Sequence, residues 1–256
     1  MAIHSLYLIF VSYKIFMMKA VLFAAGLGTR LGEITKQKPK ALVEVQHRPM
    51  LYRVMDRIRQ AGIKDFVVNV HAFADMVEVA LDEYVRLYPD VKVQISDERD
   101  FLLETGGGLK KMANMLQDGP FLVHNVDVLS NIDLSAFVSA SSKQDALACL
   151  AVRKIESDRY FLFNKNFELC GWENVKLGQQ KISRNEPGLQ AYGFMGVHMI
   201  NPAIFSLIEE EGAFSITDVY LRLAREHKIS AIDCSSAQWM DIGSVEQLAK
   251  AEEILI

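Results

Sequence analysis

Short unbroken apolar runs alternate along the chain with longer stretches in which apolar residues return every third or fourth position. The runs at 20–25, 66–70 and 91–96 are too short for helices and suit buried strands. Between the first two, Leu51, Val54, Met55 and Ile58 share a helical face. Pro49 sits where a first turn favours proline, and Gly62 ends the pattern. A second helix is predicted over 74–88, with Val77, Leu81 and Tyr84 inward and Pro89 as its stop. Strand, helix, strand, helix, strand implies an α/β fold with a doubly wound, mostly parallel, Rossmann-like sheet. The run at 120–129 predicts a strand that delivers Asp127 at its C-terminal end, followed by a helix over 133–142 and a strand over 146–155. The pattern then changes. Residues 160–164 and 168–174, about a Lys165–Asn166 turn, predict a β-hairpin, a small insertion on the main sheet. The polar stretch 176–188 predicts a mobile loop. A strand over 191–200, a helix over 202–212, a helix capped by Ser215 with Asp218 and a strand over 229–234 follow. Ser244 and Gln247 form a capping box for a last helix over 245–255.

Candidate chemistry gathers after the first strand. Gly26, Gly28 and Gly32 share a loop with Arg30, Lys36, Lys38 and Lys40, opposed there only by Glu33. A glycine-rich turn lets backbone N–H groups close on an anion, and neighbouring cations add charge. The Walker pattern is absent, and the dinucleotide fingerprint fails at Leu31, where it needs glycine. A polyphosphate site at the end of the first strand is the remaining reading. The glycines at 106–108, ahead of an amphipathic helix, suggest a second close backbone approach to a ligand. A carboxylate at a strand end, as at Asp127, suits a metal ligand in an open α/β sheet. From the residues alone, a lone Asp at a strand end is more often a helix cap or turn. Gly193 and Gly196 leave room in their strand for a ligand or another backbone.

The joint pattern AAGLGTRL…PKALVEV resembles the signature of the sugar-1-phosphate nucleotidyltransferases, L-A-A-G-x-G-T-R-L…P-K-x-L. HNVD at 124–127 is similar to the family's N-G-D, with Val126 in place of glycine, and WMDIG at 239–243 to its W-x-D-[VI]-G. The resemblance runs from Met18 through nearly the whole chain and implies a GT-A-like nucleotidyltransferase fold. It implies a nucleoside triphosphate (NTP) held by Ala24, Ala25, Gly26, Gly28, Thr29 and Arg30, with base and sugar contacts at Glu104, Thr105 and Gly106. Arg30 would hold the β- and γ-phosphates and Lys40 the phosphates at the reacting centre. Asp127 and Asp241 would bind catalytic Mg2+, and Asn125 would meet the sugar or the metal's shell. The hairpin would carry the sugar-phosphate platform, with Glu173 and Gly196. Where thymidylyltransferases show Glu-Lys-Pro, this chain reads Glu173-Asn174-Val175, so either another cation, with Arg153, Lys154 and Arg159 as candidates, replaces the lysine or the phosphate is held mainly by metal. ETGGG and LCGW look like the N-acetylmuramate-1-phosphate uridylyltransferase branch, which implies UTP with an amino-sugar or muramate 1-phosphate. GTP with mannose or heptose 1-phosphate is the alternative, as in mannose-1-phosphate guanylyltransferase-like members. An inactive nucleotide-sugar-binding regulatory homologue and a nicotinamide-dependent oxidoreductase are rivals from other classes. Retention of Arg30, Lys40 and both aspartates opposes the first, and Leu31 the second.

Composition narrows the picture further. The net charge is −4 over 256 residues, so the basic loop is local and no nucleic-acid surface is expected. Cys149, Cys170 and Cys234 lie far apart without metal spacing, which suggests reduced thiols in the cytoplasm. The apolar stretch before Met18 has no basic flank and no small-residue cleavage site, and it is too short to span a bilayer. The resemblance places the biological start at Met17 or Met18, making 1–17 an upstream extension. The remainder reads as one domain, with a nucleotide-binding half over 18–145 and a sugar-phosphate half over 146–256. It is expected to act away from membranes, as a monomer or small homo-oligomer. His124, inside an apolar strand, is expected to be packed.

Overall fold

A computed structural model describes residues 18–253, and the extension expected over 1–17 lies outside the described residues. The first half alternates as its apolar pattern requires. It holds β1 (Lys19–Phe23), a small hairpin of β2 (Glu44–Val45) and β3 (Arg48–Pro49), α1 (Met50–Gln60), β4 (Asp65–Val70), α2 (Ala74–Leu87), β5 (Lys92–Asp97), α3 (Glu104–Lys111) and β6 (Phe121–Asn125). β1 pairs in parallel with β4 and β6, and β4 with β5. Their apolar runs are continuous because both faces are covered. Val21, Val67 and Val123 face one core, while Ala20, Leu22, Phe66, Val68 and Leu122 face the other.

The second half adds β7 (Val128–Ser130), α4 (Leu134–Ser141), β8 (Ala148–Arg153), β9 (Arg159–Phe163), β10 (Leu169–Asn174), β11 (Gln179–Ile182) and β12 (Gln190–Ile200). α5 (Ile216–Leu223), β13 (Ile229–Asp233), β14 (Trp239–Asp241) and α6 (Val245–Glu253) complete it. The main sheet has ten strands, in the order β11-β10-β9-β12-β6-β1-β4-β5, with β8 on β12 and β13 on β8. β12 joins the two halves. Its end pairs antiparallel with β6, its start pairs with β9, and its register against β8 shifts between Phe194 and His198. Among the described residues no helix is long and apolar enough to cross a membrane. All three cysteines are free thiols, and burial pushes that of Cys234 up to about 11.

Four expectations need correction. The strand over 120–129 breaks at Val126–Asp127 into β6 and β7. The glycines at 106–108 lie inside α3 and not ahead of it. The stretch 176–188 is no free loop, because β11 pairs with β10 across Gly171–Asn174. The helix over 202–212 is only a 3-10 turn, Pro202–Leu207, and Ile208 is already extended.

Candidate active site

The C-terminal edge of the parallel strands carries the chemistry. β1 ends at Phe23, and the next two N–H groups, of Ala24 and Ala25, donate to Asn69 Oδ1 at 2.8 and 3.3 Å. Asn69 Nδ2 donates to Glu98 Oε1 at 2.8 Å, and Glu98 Oε2 accepts the Leu103 N–H at 3.2 Å. Asn69 and Glu98 are both buried. One amide–carboxylate pair therefore fixes the start of the glycine loop, the end of β4 and the entry to α3. A Cβ on Gly108 would lie 2.7 Å from Glu98 Oε1, so that glycine admits the carboxylate. Gly28 has φ +63°, and a Cβ there would lie 3.0 Å from Lys40 Cβ. Glycine thus takes the left-handed turn without strain and lets Lys40 pack against it.

Lys40 Nζ donates to Asp127 Oδ2 at 2.5 Å, and both side chains are largely buried. The break between β6 and β7 holds Asp127 in a turn. β7 pairs antiparallel with β14, Val128 opposite Asp241, and the Ile242 N–H donates to the Asp127 carbonyl at 2.7 Å. Directly opposed residues in such a ladder have Cα atoms about 4.5–5.5 Å apart. Asp127 and Asp241 are thus close neighbours although 114 positions separate them in the chain (241 − 127). Asp241 Oδ1 is buried with no hydrogen-bond partner among the described residues. A buried carboxylate oxygen without a donor asks for a cation. No group of three or more His, Cys, Asp or Glu side chains assembles a metal site among the described residues. That suits Mg2+, which takes one or two carboxylates and completes its octahedron with substrate phosphates and water. Asp127 and Asp241 are the residues that could hold it.

A cleft of about 470 Å3 is lined by Ala24, Ala25, Gly26, Gly28, Thr29, Arg30, Lys40, Glu104, Thr105, Asn125 and Asp127. Nearly every nucleotide-side candidate is therefore brought together. Gly106 is not: its N–H donates to the Phe214 carbonyl at 2.8 Å, and a Cβ would strike the Phe214 ring at 2.4 Å. The close approach made by Gly106 and Gly107 is to the chain's own 212–214 segment. A second cleft of about 370 Å3 adjoins the first through Asn125 and Asp127 and is lined by Arg159, Gly196, Trp239 and Asp241. Gly196, at φ +73°, lies where a Cβ would meet Asn125 Nδ2 at 3.0 Å. Of the cations proposed to replace the missing lysine, only Arg159 lines this cleft. Arg153 lies over the Trp239 ring at 5.8 Å and Lys154 over Tyr192 at 5.7 Å. Glu173 does not line it, and its carboxylate accepts from Gln180 Nε2 at 3.4 Å. Asn174 closes a turn by accepting the Leu177 N–H at 3.1 Å.

His124 is packed, with Nδ1 2.8 Å from the Asn125 carbonyl, and burial lowers its pKa to about 4. A further cavity of about 370 Å3 lies at the opposite sheet edge, between Met18, Phe121, Val138 and Cys149. Its lining mixes apolar and polar residues, and it meets neither the cationic loop nor Asp127 and Asp241.

The sequence reading gave no role in the site to Asn69, Glu98 or Gly243, and Ser215, read there only as a helix cap, also lines the first cleft. Asn69 was detectable as the one polar residue inside the apolar run 66–70. Gly243 lies in WMDIG, and an added Cβ would sit 2.6 Å from Arg30 Nη2, so this glycine admits the guanidinium.

The model of the nucleotidyl transferase family matches residues 19–256. The chain is 31% identical over 239 residues to N-acetylmuramate alpha-1-phosphate uridylyltransferase of Caulobacter vibrioides, covering 91% of this chain and 95% of that protein. It is 28% identical to a mannose-1-phosphate guanyltransferase of Yarrowia lipolytica, covering 88% of this chain but 61% of that longer protein. The UDP-glucose pyrophosphorylase structure from Acinetobacter baumanii superposes with a TM-score of 0.72 at 22% identity, over 92% of each chain.

Proposed function

The chain belongs to the nucleotidyl transferase family as a sugar-1-phosphate nucleotidyltransferase, and we propose that it joins UTP to N-acetylmuramate 1-phosphate or a related amino-sugar 1-phosphate, releasing pyrophosphate. The observation that carries the site is the β7–β14 pairing, which sets Asp241 beside Asp127 where the two clefts meet. The acceptor phosphate is already ionised at neutral pH, so no general base is required. The obstacle is repulsion between two anions, and catalysis is then positioning and charge neutralisation. Arg30 and Lys40 receive the triphosphate, with the N–H groups of the glycine loop behind them. Asn125 and Arg159 receive the sugar phosphate from the other cleft. Lys40, joined to Asp127, lies at the border between the two and stabilises charge where the phosphates meet. Mg2+ held by Asp127 and Asp241 would supply further neutralisation at the α-phosphate.

The uridylyl reading is supported by the Caulobacter relative, which is covered over 95% of its length. A guanylyl reading with mannose 1-phosphate draws on the Yarrowia relative. Pyrophosphate release from four NTPs against a panel of sugar 1-phosphates separates them. UTP with N-acetylmuramate 1-phosphate should give the highest kcat/KM. A higher value for GTP with mannose 1-phosphate moves the assignment to the second reading, and no release from any pair removes both.

A further inference from the structure

Glu104 opens α3 with φ +57°, the left-handed region that residues with a Cβ rarely adopt. The chain on either side is pinned. The Leu103 N–H donates to buried Glu98 at 3.2 Å, and the Leu103 carbonyl accepts the Phe214 N–H at 3.2 Å. Thr105 Oγ1 accepts the Ile216 N–H at 3.1 Å, and the Gly106 N–H is held by the Phe214 carbonyl at 2.8 Å. The surroundings thus over-determine the strained residue, the condition under which strain persists at working sites. Glycine would take this backbone freely, and three glycines follow Thr105. A side chain is carried here at a cost, and it is a carboxylate.

That carboxylate is exposed, lines the nucleotide cleft and has no hydrogen bond or ion pair among the described residues. It repels phosphates, which belong with Arg30 and Lys40 in the same cleft. Its partner must be a hydrogen-bond donor at the nucleoside end. Uracil offers one N–H between two carbonyl oxygens, a poor match for two anionic acceptors. The ribose offers two adjacent hydroxyls, a match for both oxygens of one carboxylate, and an acidic side chain reads the ribose in this way in dinucleotide sites. Building on the reading of this cleft as an NTP site, we propose that Glu104 accepts hydrogen bonds from the ribose hydroxyls and selects ribonucleoside over 2′-deoxyribonucleoside triphosphates.

The test compares wild type, Glu104→Gln and Glu104→Gly by thermal unfolding, by calorimetric Kd for UTP and dUTP, and by pyrophosphate release. Wild type should bind UTP at least about tenfold more tightly than dUTP, as expected when a charged hydrogen bond is lost. Glu104→Gly should bring the two Kd values within about threefold of each other while raising Tm by about 1–3 °C, because the left-handed strain is relieved. Glu104→Gln should fall between. An unchanged UTP/dUTP ratio in Glu104→Gly overturns the proposal, as does a lowered Tm. A shift in UTP-against-GTP preference with the ribo/deoxy ratio intact overturns it in favour of a base contact. Discriminating binding without turnover keeps the Glu104 assignment and removes only the reaction. No binding of any NTP by wild type overturns both.

Discussion

Replacing Gly243 by alanine probes the cationic loop without touching it. The backbone of Gly243 lies outside the left-handed region, so alanine brings no conformational strain. The new Cβ would sit 2.6 Å from Arg30 Nη2, 3.0 Å from Arg30 Cζ and 3.1 Å from Gln247 Oε1. What it strikes is the far end of an exposed, flexible side chain, which can swing away. Stability should therefore change by no more than about 0.5 kcal/mol, the usual range for surface positions. The guanidinium, however, loses its place at the mouth of the cleft. A hydrogen bond to a charged group contributes about 1.5–3 kcal/mol, so kcat/KM for the NTP should fall about 10- to 150-fold. The assay is pyrophosphate release with varied NTP for Gly243→Ala, Arg30→Ala and the double variant. If alanine acts through Arg30, the double variant is no slower than Arg30→Ala. Multiplying losses, or a Gly243→Ala enzyme as fast as wild type, refute the reasoning.

Three further outcomes follow from the same geometry. Asp127→Ala and Asp241→Ala should each abolish turnover in Mg2+ and weaken Mn2+ binding in titrations, and near-normal activity in either removes the metal assignment. Burial holds the folded pKa of His124 at about 4 and that of His198 at about 3, so the unfolded chain takes up protons first as pH falls below about 6.5. Stability is then intact above that pH and drops by about 2 kcal/mol per histidine at pH 5, and a urea midpoint that stays flat from pH 7.5 to 5 contradicts this. Gly26→Ala should leave Tm unchanged but raise KM for the NTP, since a Cβ there meets nothing within 4 Å and faces the open cleft. Gly28→Ala should cost about 2 kcal/mol through its left-handed φ and its crowding of Lys40, and equal unfolding midpoints for the two variants would contradict the distinction.

What the sequence disclosed depends on where its side chains go. β4 was legible because its residues are buried on both faces, which leaves a run apolar but for Asn69. β11 was not, because all four of its residues are exposed, so its pairing with β10 leaves no apolar run. The helix expected over 202–212 stops early because Arg222 reaches back to the Leu207 carbonyl at 2.8 Å and to Glu210, tying that segment to α5. The motifs marked Asp127 and Asp241 separately, but no local pattern could pair them. β7 and β14 have three residues each, and their register is a property of the folded chain. Glu173 was placed by its position in the hairpin, yet no residue of β10 lines the second cleft, because where the strand runs depends on twist and bulge. The register slip at Leu169–Gly171 is such an irregularity.

The glycines of the signature carry a message that a phosphate-loop reading hides. Such residues are usually taken as places where backbone meets ligand. Here Gly28 lies against Lys40, Gly196 against Asn125, Gly243 against Arg30 and Gly108 against Glu98. Each lacks a Cβ where a charged or amide side chain passes within about 3 Å of the space it would fill. These side chains come from other elements, so the glycines set how closely separate parts of the chain converge. Only Gly26, with nothing within 4 Å in the nucleotide cleft, is left for direct approach by a ligand. A cationic loop could be made from lysines on any flexible turn, but its charges would then be free to pair with solvent. Lys40, packed against Gly28 and bonded to Asp127, is held in place before substrate arrives, while Gly243 leaves room for the Arg30 guanidinium beside it. On the proposed reading, preorganisation of that kind, more than the number of positive charges, would let two phosphates be held together.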